Sequence, residues 1–578
     1  KASSAAETTE AVETAKASET QKDKENKDKD KTKTDVDYES RLFDTSYVHT
    51  IDIQISEEDW TDLNTNPTEK TKYKTTVTVD GETFEAVSFA TKGNTSLSSI
   101  ASDPDSNRYS FKLNFGKYNK GQTYYGLKKL NLNNLYADAT YMKDYLSYEI
   151  FREAGVESSL TSYVWLTING EDQGLYIAIE DISESYLDRV ADGEGELYKP
   201  ETEMLGNMGK AGGQGDFNPG GQSGFPGGQS GFPGGQGGTF PGGSTTDPSQ
   251  SGFSDMPQGG DFNPGGNFPG GFSFGSSSNG ADLVYKDDEI SSYSDIFDNA
   301  ETDVDEEDEQ RVIAALKALS QGDVSGINTD QVIRYFAAHN FVLNYDSYTG
   351  SMLHNYYLYE NDGQLSMLPW DYNLAFGGFS GGDATSLINT GIDTPLSGST
   401  ESARPMWSWI ASDETYLTQY HEVYEALISG YFESGRFEQE IDALYEMLLP
   451  YVEKDPSAFY TAEEFTKAVQ TLKEFCLLRA ESIRRQLDGT LSTKTSEQKA
   501  SDQVDASSLS VRDMGSQGGG NQGGGNAFPG GFNGGYFNSG GKGNNGSGRP
   551  DESRPSESRP DGSGRPSESQ PSESRPGA

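Results

Sequence analysis

Residues 203–280 repeat themselves: QSGFPGG occupies 222–228 and again 229–235, among Gly, Pro, Ser and Phe. Such a composition buries too little side chain to offset the entropy of ordering it, so no continuous core is expected to run through the middle of the chain. Two further stretches share this limit. Residues 1–39 mix Ala, Thr, Ser, Lys and Glu with no aromatic before Tyr38, and residues 491–578 become Gly/Asn/Phe-rich and then a Ser-Glu-Ser-Arg-Pro array. They read as a disordered tether, a disordered insertion and a disordered tail. Two blocks that can pack remain, 40–202 and 281–490.

Charge and cysteine use narrow the function classes. Lys+Arg number 45 against 91 Asp+Glu, a net charge of −46, which works against phosphate-backbone binding, so neither nucleic acid nor an anionic membrane surface is expected as a partner. Cys476 is the single cysteine, leaving no disulfide and no Cys-ligated zinc site; it reads as a small buried hydrophobe. No run reaches the roughly 18–20 apolar residues of a membrane-spanning helix. The start at Lys1 leads to the expectation that a leader precedes it.

In the first block VHTIDIQIS (48–56) alternates as a strand, and SEEDWTDL opens a short helix. KYKTTVTV and ETFEAVSFAT meet at Asp80-Gly81, and SYVWLTI and GLYIAIE at Asn169-Gly170, both strong hairpin signals. RYSFKLNF (108–115) alternates again, while DATYMKDYLSYEIFREAG (138–155) has helical spacing ending at Gly155. The block reads as a mostly antiparallel sheet carrying one substantial helix. GELYKP (195–200) and ADLVYKDD (281–288) flank the Gly-rich insertion and are expected to be neighbouring strands. Beyond residue 305 five helical patterns follow, from EQRVIAALKALS to TAEEFTKAVQTLKEFCLLRAESIRRQL. Among them NYYLY and QLSMLPW bracket an Asn361-Asp362-Gly363 turn, a β-ribbon leading to Asp371.

These pieces resemble the CotH family of bacterial spore-coat protein kinases. The resemblance runs from about residue 47 to about 490, the insertion aside. It rests on TKGNTSL (91–97), YSFKLNF (109–115), GLKKLNLNN with the 138–155 helix, NGEDQGLYIAIEDI (169–182) and NYDSYTGSMLHNYYLYENDGQLSMLPWDYNLAFGG (344–378). It implies an α+β, atypical bilobal protein-kinase-like fold with a strand-rich N-lobe and a helix-rich C-lobe. The implied activity is transfer of the ATP γ-phosphate to Ser or Thr with Mg²⁺ or Mn²⁺.

Phosphoryl transfer needs a cation for the phosphates, metal-binding oxygens and a carboxylate beside the acceptor hydroxyl. Lys112, between Phe111 and Leu113, is the candidate phosphate lysine, although alone it reads as a lysine on a strand's solvent face. Glu149 is placed to pair with it, against the plain alternative of a surface helix glutamate. Gly93, Asn94, Thr95 and Ser96 follow a strand and offer backbone N–H and hydroxyl groups to phosphates. Glu180 is a candidate for the adenine or ribose, or else an interlobe ion-pair partner. Asp346 is the candidate base, with the base-or-ligand choice open, and Asn355 and Asp371 are the candidate metal ligands. Asp346 and Asn355 lie nine positions apart, wider than in ordinary protein kinases. Asn373 stands where many members carry Asp. His354 reads as a packed or hydrogen-bonded ribbon residue, and His49, His339 and His421 are too scattered for a zinc site. No Walker-type GK[ST] occurs in either block, and GKGNNG at 541–546 lacks the flanking strand and helix of a nucleotide motif.

Two classes follow. One is a Ser/Thr kinase at the cell surface, lipid-anchored or extracellular, or in the spore coat. It would act on exposed Ser-rich, basic protein segments, its own tail included. The other is a non-catalytic kinase-like adhesion or coat-assembly module.

Overall fold

The computed structural model describes residues 36–202, 278–379 and 381–516. The tether up to 35, the insertion from 203 to 277 and the tail from 517 lie outside the described residues, as does GKGNNG.

The first region is built from seven strands: β1 (His49–Gln54), β2 (Tyr73–Val79), β3 (Glu82–Lys92), β4 (Ser110–Asn114), β5 (Lys129–Asn133), β6 (Thr161–Ile168) and β7 (Glu171–Glu180). Their order β1-β2-β3-β4-β5-β7-β6 closes into a barrel through a parallel β1–β6 pairing, Ile51 opposite Leu166. The expected antiparallel sheet therefore has no free edge. Both expected hairpins form. Asp80 and Gly81 (φ 47° and 87°), and Asn169 and Gly170 (φ 52° and 82°), supply the two positive-φ residues of a tight hairpin turn.

Period-2 alternation assigns each face. Ile51, Ile53, Phe111, Leu113, Leu130, Leu132, Val164 and Leu166 fill the barrel. On β6 and β7 the intervening Tyr163, Leu175, Ile177 and Ile179 join the core of the helical region instead, so these two strands are buried on both faces. Four helices accompany the strands: α1 (Glu57–Thr65), α2 (Thr95–Ala101), α3 (Lys143–Glu153) and α4 (Glu184–Val190).

The second region holds α5 (Glu306–Ser320), α6 (Thr329–Val342), α7 (Pro405–Ser412), α8 (Glu414–Leu427), α9 (Arg436–Val452) and α10 (Ala462–Leu487). Capping boxes at Asp305 and Thr461 start α5 and α10. Cys476 is fully buried on α10, and burial raises its thiol pKa. Between α6 and α7 lies the ribbon, β9 (Tyr356–Asn361) and β10 (Gln364–Pro369), turned at Asp362-Gly363. Among the described residues no helix is long and apolar enough to cross a membrane.

Three sequence expectations are corrected. GELYKP supplies β8 (Glu196–Tyr198), but β8 pairs with β9, Leu197 opposite Tyr359, and not with ADLVYKDD. Residues 281–288 form no strand: Gly280 and Leu283 turn the chain at φ 111° and 59°, and Tyr356 donates to Ala281 O at 2.6 Å. The first block starts before residue 40, since Tyr38 is fully buried and its hydroxyl donates to Ser185 O at 3.0 Å. Finally, 491–516 belongs to the fold rather than to the tail. Leu491, Val504, Ala506, Val511 and Met514 are buried there; Ala139 N donates to Met514 O at 3.2 Å, and the buried Lys143 ammonium donates to Gly515 O at 3.0 Å.

Candidate active site

A cleft of about 370 Å³ opens between barrel and ribbon, inside the roughly 300–1,000 Å³ range of small-molecule sites. Into it converge Gly93–Ser96, Lys112, Asp346, Asn355 and Asp371, drawn from segments far apart in the chain. Lys70, Lys92 and Lys199 join Lys112, gathering four lysines in a chain of net charge −46.

The acidic wall follows α6. Leu343 turns out of the helix at φ 53°, and Asp346 lies in the loop beyond. Asn355 Nδ2 donates to the Asp346 carbonyl at 2.8 Å and to its Oδ2 at 3.2 Å, and His354 Nε2 lies 3.2 Å from Asp346 Oδ1. Burial opposes charge on His354, but Asp346 and then Asp371 outweigh it and raise its pKa. Asn355 and Asp371 both sit in the left-handed region, at φ 58° and 61°. Asn and Asp adopt that conformation more readily than other non-glycine residues.

Behind this wall, structural contacts tie the two loops together. Asp371 N donates to Tyr148 O–H oxygen at 3.2 Å, and Tyr372 N to Asp144 Oδ1 at 2.8 Å. Burial, and then the Asp371 charge, push Asp144 up to about 7. His339, fully buried and pushed down to about 3 by that burial, bridges Tyr372 O–H and Thr349 Oγ1 at 2.7 Å each. It therefore links the loop after Asp346 to the loop after Asp371. His49 pairs with Asp80 and His421 with Asp393, each away from the cleft.

The cationic wall comes from the barrel. Lys112 Nζ pairs with Asp181 Oδ2 at 2.7 Å, not with Glu149. Glu149 instead binds Arg152 at 2.5 Å. The helix explains the difference. Asp144 and Tyr148, four apart, share the α3 face that meets the ribbon, and Glu149 lies about 140° round from Asp144. Asp181 is buried, which favours its neutral form, yet Lys112 and Lys129 together hold its pKa low. Lys92, directly before Gly93, donates to Asn133 Oδ1 at 2.6 Å. Burial holds it at about 8, against the pull of Asp371.

Glu180 is also displaced from its expected role. Its buried carboxylate takes Arg189 at 2.7 Å, Tyr38 O–H and Leu160 N, so it is an internal ion-pair anchor. Neighbours on a strand point to opposite sides, and Asp181 reaches the cleft in its place.

Sequence reading thus missed Lys92, Asp181, Asp144, Lys70 and Lys199. One signal was available. In LNLNN the leucines fill the barrel, so Asn131, 1% exposed, is a buried polar residue on the opposite face, where it donates to Asp181 Oδ2 at 2.9 Å.

The family model described as CotH kinase protein matches residues 89–483, and the chain belongs to the CotH family. It is also similar to inner spore coat protein H of Bacillus subtilis (strain 168), at 20% identity over 375 residues covering 63% of this chain and 80% of that protein.

Proposed function

We propose that the chain is an atypical, kinase-like phosphotransferase whose barrel and helical regions act as two lobes, moving the ATP γ-phosphate to Ser or Thr of proteins. The observation that carries this reading is the meeting of Lys92, Lys112 and Gly93–Ser96 with Asp346, Asn355 and Asp371 in one cleft.

The donor set fits Mg²⁺ or Mn²⁺. Asp346, Asp371, Asn355 and Asn373 offer hard oxygen ligands. Among the described residues no group of three His, Cys, Asp or Glu is arranged as a protein-only metal cage. That agrees with a cation held by one or two carboxylates and completed by phosphate oxygens. When bound, the ion neutralises phosphate charge and lines up the transferred group. Asp371 and Asn355 would hold it, Lys112 and Lys92 would take the remaining phosphate charge, and Asp346, oriented by Asn355 and His354, would accept the hydroxyl proton. Asn373 Nδ2 donates to Tyr136 O at 3.3 Å, which leaves its carbonyl oxygen for the metal.

The relative's name supports spore-coat association for this chain too. Its acidic charge favours encounter with basic Ser-bearing segments. The Ser-Glu-Ser-Arg-Pro tail places Ser close to Arg but is near neutral, with five Arg against six Asp+Glu over 549–578. Met514 and Gly515 pack on Ala139 and Ala137, and Ala137 lines the cleft, so the chain departs for the tail from the cleft rim. That supports phosphorylation in cis at roughly millimolar effective concentration. Incubation with γ-labelled ATP, Mg²⁺ or Mn²⁺ and a Ser/Arg-rich peptide tests the reading: label in the peptide and in tail serines is expected, and none in either overturns it.

A further inference from the structure

The segment from Asp346 to Asn355 belongs to no helix or strand, since α6 ends at Val342 and β9 starts at Tyr356. Without a repeating ladder, such a stretch takes its shape from the groups that satisfy its main chain. Here it doubles back on itself. A Cβ on Gly350 would stand 1.9 Å from Tyr345 O, and Gly350 N donates to Ser347 O at 3.1 Å. The course of 347–350 therefore sets the path of Tyr345 into Asp346. His339 holds this turn through Thr349 Oγ1 at 2.7 Å.

A second side chain holds the turn from the helical region. Arg404, which directly precedes α7, is 5% exposed. Among the described residues its hydrogen bonds go to main-chain carbonyls: Nε to Tyr348 O at 2.5 Å, Nη2 to Gly350 O at 2.6 Å and Nη1 to Ala403 O at 2.7 Å. The guanidinium also lies 5.5 Å from the centre of the Tyr348 ring. Burying a cation is costly, and a position that served packing alone would be better filled by an apolar side chain. What the guanidinium adds is one planar edge, Nε–H and Nη2–H, that grips two carbonyls of the same turn at once. A lysine ammonium carries the charge but not that edge.

Resting on the phosphotransferase reading above, we propose that Arg404 is a positioning residue for phosphoryl transfer, whose two-pronged grip on the Tyr348 and Gly350 carbonyls sets how Asp346 and Asn355 face the metal. Arg404 is not among the residues that line the cleft, so it acts through the loop. The contacts of Asn355 Nδ2 with Asp346, at 2.8 and 3.2 Å, require both ends of the loop to return to one place. With the grip released, the acidic wall loosens. Lys112 and Gly93–Ser96 stand on the barrel side and keep their places, so nucleotide binding and metal binding part company.

The test compares the full chain as wild type, Arg404→Lys and Arg404→Met. Calorimetric ADP binding at saturating Mg²⁺ counts the competent sites, electron paramagnetic resonance of free Mn²⁺ gives metal half-saturation with ADP present, and a labelled-phosphate assay gives kcat per competent site. Both variants are expected to bind ADP within about threefold of wild type, to weaken Mn²⁺ half-saturation about tenfold and to lower kcat per site about 10- to 100-fold. Arg404→Lys is expected to fall with Arg404→Met, because the edge and not the charge holds the loop. Fewer competent sites with unchanged kcat per site and unchanged Mn²⁺ half-saturation would make Arg404 a core residue and overturn the proposal. So would Arg404→Lys matching wild type per site, or the loss of ADP binding and folding in both variants. If wild type is active and only these differences are missing, this proposal alone falls; if wild type neither binds ADP nor transfers phosphate, the phosphotransferase reading falls with it.

Discussion

The two walls of the cleft are assembled in opposite ways. Asp346, His354, Asn355, Asp371 and Asn373 all come from 344–373, a single loop and ribbon whose parts are sequence neighbours. Lys92, Lys112 and Asn131 come from the barrel strands β3, β4 and β5 and Asp181 directly follows β7, aligned by pairings such as Ala90 with Lys112 and Lys112 with Asn131. A wall made by local turns takes its geometry largely from its own loop, held from behind by Tyr148, Asp144 and His339. A wall made by strand register exists only when the whole barrel closes, since a one-residue slip sends each side chain to the other face. The acidic wall is therefore expected to respond to point changes chiefly in chemistry, and the cationic wall in chemistry and stability together.

The sharpest test of that contrast is Asp371→Ala. It is expected to lower phosphoryl transfer by about a thousandfold or more while moving Tm by no more than about 4 °C, as read by labelled-phosphate assay and thermal unfolding. A large Tm loss would show that the acidic wall is structural.

Next in size is Lys112→Met against Glu149→Gln. Lys112→Met is expected to cut kcat/KM about 100-fold and to cost about 1 kcal/mol, because Asp181 stays buried beside an incomplete set of partners and Lys112 itself is 38% exposed. Glu149→Gln should leave activity within about twofold, as a partly exposed pair with Arg152 contributes little. The opposite ranking would restore Glu149 as the partner.

A third effect is on pH dependence. The His339 pKa lies below its unfolded value of 6.5, so the native state refuses a proton that the unfolded chain accepts. Its contribution is complete above about pH 6.5 and is lost as pH falls toward 3. Between pH 6.5 and 4.5 the cost is about 2–3 kcal/mol. Denaturant titrations should therefore show wild type losing that much more stability over this window than His339→Gln, and equal losses would place a charged imidazole between the two loops.

The smallest expected effect is that of Asn373→Asp. The added charge favours the cation, but the amide hydrogen bond to Tyr136 O is lost. Metal half-saturation should tighten by less than about threefold, measured by Mn²⁺ titration.

These contrasts also explain what could be read from the amino-acid order. The Asp-Gly and Asn-Gly turns and the five long helices depend on local rules, and each stands where those rules put it; Asp346, Asn355 and Asp371 line one cleft. The partner of Lys112 did not follow, because choosing Asp181 over Glu149 requires both the β7 strand phase and the rotation of α3. Glu180 and Asp181 are adjacent, yet one is locked by Arg189 and the other faces the cleft. Residues 491–516 escaped because Val504, Val511 and Met514 are isolated apolar residues in polar sequence, with no period to betray a buried face.

The strap formed by those residues sets a schedule for the protein's synthesis. The seven barrel strands are complete by Glu180, but Lys143 on α3, which reaches Ala137 O at 3.4 Å, obtains its closer carbonyl partner at 3.0 Å only when Gly515 has been made. At about 5–20 residues per second the ribosome needs tens of seconds to cover that distance. Throughout this interval the helix carrying Asp144 lacks its last support, and Asp144 is the residue that holds the backbone beside Asp371. The backbone beside Asp371 thus gains this support near the end of translation, long after the barrel strands have been made, and a chain ending before Gly515 would carry every described cleft residue without that contact.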